Sequence, residues 1–260
     1  MSIKKSYGII CCKTDKLKGF QIILIKKPVT YYFCEFVSGR YKKNDDVHLK
    51  KLFDNMTYFE KMDILSLNFN ILWYRIYKVD PDQSYLRSCP AFISKQYYKK
   101  KDKFDICFLR DNGERLKKII INSINSDNIW EIPKGRKISD DNDIDTAVRE
   151  FTEETNIQSD KYKILFHMKP YVETYIDFGI TYQNIYYFAE SIGEWTPYIQ
   201  FTNGHQISEV SAIRWCGKND ILNLSIEKSS QKRLLTMFDK ISTKYKNHKK
   251  FKMFKLTRCV

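Results

Sequence analysis

IPKGRKISDDNDIDTAVREFTEETNI, residues 132–157, places Arg149, Glu150, Glu153 and Glu154 within six consecutive positions of a chain whose formal net charge is +14. Ile144, Val148, Phe151 and Thr155 follow one another by three or four, and Asp145 or the aspartates just before it can cap a start, so the stretch is expected to be a helix with an apolar face. At about 100° per residue, Glu150, Glu153 and Glu154 fall within one arc of that helix. Like charges at this spacing repel, and more strongly when shielded from water. Arg149 can pair with Glu153 four residues on, but one guanidinium does not neutralise three acids, and Glu150 is expected to point away from it. A hard divalent cation, Mg²⁺ or Mn²⁺, is the expected compensation, since it takes carboxylate oxygens and keeps positions open for phosphate.

The surrounding composition is that of a folded globule. Apolar residues make up 43% of the 260 and aromatics 15%, against 9 Gly and 6 Pro, which leaves little room for long flexible linkers. Apolar runs are too short for a membrane span or a signal-peptide core, so the expected location is cytoplasmic. The 7 cysteines are odd in number and scattered without a C-x-x-C pair, which argues against a disulfide framework or a zinc site. Cys11 and Cys12 lie inside an apolar strand pattern and are expected to be structural thiols.

The order of elements reads as a mixed fold with an insertion. SYGIICCK (6–13) and FQIILIK (20–26) read as a hairpin. Thr57 and Glu60 have capping-box spacing, and Met62, Leu65, Phe69, Leu72, Trp73 and Ile76 continue as the stripe of one long amphipathic helix, punctuated afterwards by Pro81 and Pro90. Strand character returns at IWEIP (129–133) and recurs at 162–172, 181–189 and 210–216. A last helix is expected over about Glu227 to Lys246, with Leu234, Leu235, Phe238 and Ile241 buried. The expected class is α+β, with first strands in 1–29, an inserted helical domain in 30–128, the resumed domain in 129–246 and a basic tail in 247–260.

Excess positive charge implies a polyanionic partner. From Lys228 onward eleven Lys or Arg face the single acid Asp239. SKQYYKKKDK (94–103) sets aromatics among cations, a pattern suited to single-stranded RNA. The candidate RNA contacts are Lys95, Tyr97, Tyr98, Lys99, Lys100, Lys101 and Lys103, with Lys244, Lys246, Lys249 and Lys250 from the basic end.

The opening stretch resembles the Nudix box, G-x5-E-x7-R-E-U-x-E-E-x-G-U, where U is a bulky apolar residue. Gly135, Arg149, Glu150, Glu153, Glu154 and Ile157 match, and Phe151 is an acceptable apolar residue. With each of the five fixed residues occurring by chance about one time in 15, the joint match is roughly one in a million per starting position. Asp141 stands where the family has Glu, and Asn156 replaces the helix-ending Gly, being the next-best residue for a left-handed position. The flanking WEIPKGRKISDDNDIDTAVREF resembles the messenger-RNA decapping branch. SYGIICCK, FCEFVSGRY, LKKLFDNMTYFEKM, LWYRIY and LRDNGERL are similar to the decapping Nudix hydrolases of large cytoplasmic DNA viruses, the African swine fever virus type above all.

That resemblance implies a Nudix α/β/α sandwich interrupted by a mainly helical domain, and hydrolysis of the cap pyrophosphate to m7GDP and 5′-monophosphate RNA. It implies Glu150, Glu153 and Glu154 as metal ligands, with the Gly135 carbonyl, Arg149 orienting Glu153, and Lys134 facing the phosphates. Glu209, in GHQISEVSAIRW, is the expected further carboxylate, as general base or fourth ligand, with His205 a weaker candidate base. Capped mRNA is the expected partner, with diphosphoinositol or dinucleoside polyphosphates as alternative substrates. An RNA-binding protein with a relic box is the competing class, which an intact R-E-x-x-E-E disfavours.

Overall fold

The computed structural model describes residues 3–78, 91–138, 141–177, 179–200, 202–226 and 228–257, apart from the side chains of 91–94, 204, 205, 207 and 251–257. Pro81 and Pro90 lie outside the described residues. The chain divides into two compact units, one of residues 1–27 with 130–260 and one of residues 28–129.

The first unit is organised by two strands that are apolar on both faces. These are β1 (Ile3–Asp15) and β2 (Gly19–Lys26), antiparallel to each other. Alternate residues face opposite ways. Ile10, Cys12, Ile22 and Leu24 enter one buried cluster, while Tyr7, Ile9, Cys11, Ile23 and Ile25 enter another. A sheet with two dry faces must be covered on both. One cover is α10 (Lys228–Thr257), whose Leu234, Met237, Phe238, Ile241 and Tyr245 are buried in the first cluster. The other is α7 (Asp143–Thr155), which gives Ala147 and Phe151 to the second. The result is an α/β/α sandwich of the α+β class.

The sheet continues through β3 (Trp130–Glu131), β4 (Lys134–Gly135), β5 (Tyr162–Ile164), β6 (Tyr171–Asp177), β7 (Ile180–Ser191) and β8 (Ala212–Cys216). Its main path runs β3-β2-β1-β7-β5, with β4 on β1, β6 on β7 and β8 on β2. Strand β7 is parallel to β1, and the other pairs are antiparallel. The β1–β2 turn depends on Gly19 at φ +72°, and the Asp15 carboxylate accepts from the amides of Leu17 and Lys18. Cys11, Cys12, Cys34, Cys107 and Cys216 are free, and burial raises the pKa of Cys11 and Cys12. Helix α10 runs past Lys246 to Thr257, so the expected tail is helical over that stretch.

The second unit is helical: α1 (Tyr31–Val37), α2 (Asp46–Asp54), α3 (Tyr58–Ser66), α4 (Phe69–Tyr77), α5 (Ala91–Phe104) and α6 (Glu114–Ile121), with one π turn over Asp105–Leu109. Its core gathers Phe33, Phe36, Phe53, Leu72, Trp73, Tyr97 and Phe108. The single long helix expected from Met62 to Ile76 is two helices, because Leu67 turns extended and Asn68 begins α4. Leu65 is accordingly 39% exposed. The Thr57–Glu60 capping box does form, and its Glu60 carboxylate, 3% exposed, also accepts from the Thr30 amide at 2.5 Å and the Thr30 hydroxyl at 2.9 Å.

Replacing Glu60 by Ala strands the buried Thr30 amide and the part-buried Thr57 amide, at about 1–3 kcal/mol each. We expect Glu60→Ala to lose about 3 kcal/mol of unfolding free energy in chemical denaturation, with Glu60→Gln retaining part of it.

Candidate active site

Helix α7 presents the acids, and its N-terminus is closed by Asn142, whose side chain accepts from the amides of Ile144 at 3.0 Å and Asp145 at 2.8 Å. An asparagine therefore does what was expected of an aspartate. The helix ends at Asn156, left-handed at φ 56°, the conformation expected of an Asn that stands in for Gly. Its buried face is rotated from the expected one, running through Thr146, Ala147, Phe151, Glu154 and Thr155, with Ile144 and Val148 half-buried. Glu154 is consequently a core residue, 1% exposed.

Three cationic or backbone groups compensate it. Lys27, the residue after β2, pairs with the Glu154 carboxylate. The Lys134 amide donates to Glu154 Oε2 at 2.8 Å. The Lys134 ammonium stands 2.7 Å from Glu131, which is 3.9 Å from Lys27 Nζ. Burial raises Glu154 to about 7, against the pull of Lys27 and with help from Glu131. For Lys134 burial acts downward, but Glu131, then Tyr186 and Glu154, carry the net shift upward.

Glu150 is held differently. Its carboxylate lies against Gly135, where an added Cβ would stand 1.9 Å from Oε2, so only glycine fits at that point of β4. Arg149 Nη2 lies 2.9 Å from Glu150 and Nη1 2.9 Å from Glu153. Its Nε reaches Asp141 at 3.1 Å, and Nη2 donates to the Arg136 carbonyl at 3.0 Å. This corrects the expectation that Glu150 points away from Arg149: the planar fork engages three carboxylates at once. The short Asp141 arm still reaches it. Burial raises the Glu150 pKa, Arg149 opposes, and Glu153 and Glu209 add to the rise.

Glu209, last residue of α8 (Gly204–Glu209), lies 3.5 Å from Lys27 Nζ and is 56% exposed at its side chain. Helix α8 is fixed by Gln206, fully buried, which donates to the Glu154 carbonyl at 3.3 Å and accepts from the Gln200 amide at 2.8 Å. The side chain of His205 is outside the described residues. Glu150, Glu153, Glu154, Gly135, Arg149, Lys134 and Glu209 are thus gathered at one place, and Lys27 and Glu131 join them without having been expected. Lys27 left no local signal: it lies 127 residues from Glu154.

Among the described residues no three His, Cys, Asp or Glu side chains converge as a metal cage. The acids are turned onto Arg149 and Lys27. The donor set nonetheless suits a hard cation, since the carboxylates and the Gly135 carbonyl offer oxygen alone and Gly135 leaves Glu150 room against the backbone.

The candidate RNA contacts fare unevenly. Tyr97 is 3% exposed and packs on Trp73 and Phe69, so it is core and not a stacking surface. Lys101 pairs with Asp105 at 2.6 Å, and Lys103 donates to the carbonyls of Gly39 and Tyr41. Lys244 donates to the Lys169 and Pro170 carbonyls, and Lys249 pairs with Glu190. Lys95, Tyr98, Lys99, Lys246 and Lys250 are exposed, and Lys100 is half-buried.

A sandwich in which one covering helix carries such a box against a strand glycine defines a class, and the NUDIX domain profile matches residues 99–238. The chain belongs to the Nudix family. It is 33% identical over 222 residues, covering 83% of this chain and 85% of the other, to the mRNA-decapping protein g5R of African swine fever virus. It is 26% identical to a putative mRNA-decapping protein of Acanthamoeba polyphaga mimivirus, covering 64% of this chain and 51% of the other. A solved Ap4A hydrolase of C. elegans is similar at 12% identity and TM-score 0.43, covering 92% of this chain and 96% of that one.

Two outcomes are expected. Gly135→Ala pushes the Glu150 carboxylate aside, and a displacement of about 1 Å at a reacting centre costs about 100-fold; steady-state turnover should fall by that much while circular dichroism is unchanged. Glu154 ionises near 4.5 when unfolded and near 7 when folded, so between these values the native state holds a proton the unfolded chain has lost. In metal-free buffer its contribution to stability should decline as pH rises from 4.5 to 7 and level off above, read as wild type minus Glu154→Gln in urea titrations.

Proposed function

We propose that the protein is a divalent-metal-dependent mRNA-decapping hydrolase acting in the cytoplasm of a virus-infected host cell. The observation that carries the reading is the acid cluster of α7 built against Gly135 of β4, in a chain similar along most of its length to mRNA-decapping protein g5R. Glu150, Glu153 and Glu154, with the Gly135 carbonyl, would hold Mg²⁺ or Mn²⁺. When bound, the metal supplies charge neutralisation on phosphate oxygens and a more acidic water.

The chain's own groups do the rest. Arg149 keeps Glu150 and Glu153 in register through one fork. Glu209, exposed at the edge of the cluster, takes the proton of the attacking water. Lys134 neutralises the phosphate oxygens as the bridging P–O bond breaks. Water adds to phosphorus, m7GDP leaves, and the RNA keeps a 5′-monophosphate. Lys95, Tyr98, Lys99 and Lys100 of the helical unit and Lys246 and Lys250 of α10 hold the RNA body by sequence-independent phosphate contacts.

With cap-labelled RNA and Mg²⁺ or Mn²⁺ the released product should be m7GDP; m7GMP or inorganic phosphate would sink the assignment. Glu150→Gln should reduce release by about 1,000-fold or more and leave RNA retention on filters nearly unchanged. Excess uncapped RNA should compete strongly, whereas indifference to it would point to small polyphosphates as the substrate class.

A further inference from the structure

Like Arg149, Lys27 touches three separate carboxylates, but a different three. Its Nζ pairs with Glu154 and stands 3.5 Å from Glu209 and 3.9 Å from Glu131. The lysine is 11% exposed at its side chain, Glu131 9% and Glu154 1%, so its contacts with these two are formed largely out of water, whereas Glu209 faces solvent. The box assigns it no role: it lies before the inserted unit, and Glu131, Glu154 and Glu209 lie after it.

Three carboxylates around one ammonium leave an uncompensated negative charge, which only partly returns through Lys134 on Glu131. A lysine in this place is a compact, mobile point charge on a flexible stem, unlike the rigid fork of Arg149. Glu154 has two oxygens: Oε2 is fixed by the Lys134 amide, and Oε1 is the one Lys27 takes. The oxygen available for exchange is therefore the one occupied by Lys27.

We propose that Lys27 is a positioning residue that acts as an exchangeable counter-ion. It holds Glu154 Oε1 in the metal-free protein, and yields that oxygen to the divalent ion while remaining beside Glu131 and Glu209. This rests on the metal-dependent reading above. No bond is made or broken in the exchange; one ionic contact replaces another. Metal binding accordingly carries the cost of displacing the lysine, and removing the lysine removes that cost.

The test is Mn²⁺ binding followed by the electron paramagnetic resonance of free Mn²⁺, on wild type, Lys27→Met and Lys27→Arg. Lys27→Met should bind Mn²⁺ about tenfold more tightly, the worth of one charge-assisted hydrogen bond that no longer has to be broken. Lys27→Arg should stay within about twofold of wild type, since a cation is retained. In a Glu154→Gln background the Lys27→Met effect should vanish. Equal or weaker Mn²⁺ binding by folded Lys27→Met overturns the proposal, whereas wild type that binds no Mn²⁺ overturns the metal-dependent reading itself. A second measurement needs no variant: reductive methylation of wild type, read by mass spectrometry, should label Lys27 faster with Mn²⁺ than with EDTA, and an unchanged rate counts against the exchange.

Discussion

Burying a carboxylate is costly unless partners are brought to it, and the first unit buries one at Glu154. Most of the local architecture serves to make that tolerable. The groups that meet around it come from separate places in the chain: Lys27 after β2 and the Lys134 amide in β4 on the carboxylate itself, Glu131 in β3 on Lys27, and Gln206 in α8 on the Glu154 backbone carbonyl. They meet because β3 pairs with the end of β2 through Ile25↔Glu131 and Lys26↔Trp130, and β4 pairs with β1 through Gly8↔Lys134 and Tyr7↔Gly135. Gly8 is part of the same constraint, since a Cβ there would stand 2.1 Å from the Pro133 carbonyl and push β4 off the sheet. Two glycines on neighbouring strands thus set how near the acids come to the backbone.

How much of this the sequence reveals depends on whether the controlling interaction is local. The capping box at Thr57, the left-handed Asn156 and the β1–β2 hairpin were all legible, because each is decided within a few residues by propensity or periodicity. The rotation of α7 was not. Its periodic apolar residues suggested a face through Ile144 and Val148, yet the helix buries Glu154, since pairing with Lys27 and the Lys134 amide outweighs the polarity of the side chain. The break between α3 and α4 was hidden for the opposite reason: apolar spacing continues across Leu67 and Asn68, and spacing alone does not record a change of helix axis. Tyr97 was misjudged because tyrosine serves equally as a core ring and an exposed platform.

The basic balance of the chain also needs dividing. Several lysines are spent inside the fold. Lys61, 1% exposed, donates to Ser123 Oγ at 2.8 Å and to the Ile124 carbonyl, and burial lowers its pKa. Lys103 likewise satisfies the carbonyls beyond α1, where helix ends leave acceptors unpaired. Composition counts these lysines toward a polyanion-binding surface, but geometry assigns them to backbone carbonyls. The cations that remain exposed on α5 and α10 are fewer, and they are the ones relevant to phosphate.

The inserted unit enters and leaves the first unit at one point. Lys26 at the end of β2 pairs directly with Trp130 at the start of β3, so residues 28–129 begin and end at hydrogen-bonded neighbours. An insertion whose ends already lie side by side adds little to the cost of closing the chain, which grows only slowly with length. Lys27 is the residue next to that pair after β2, Glu131 is the residue next to it within β3, and both belong to the network around Glu154. The joint that lets the sheet accept a second unit is therefore the place where the site's buried charge is balanced. Loss of the β2–β3 pairing would disturb Glu154 before it disturbed the hydrophobic clusters, because the charges have no water to fall back on and the apolar faces have neighbours on every side.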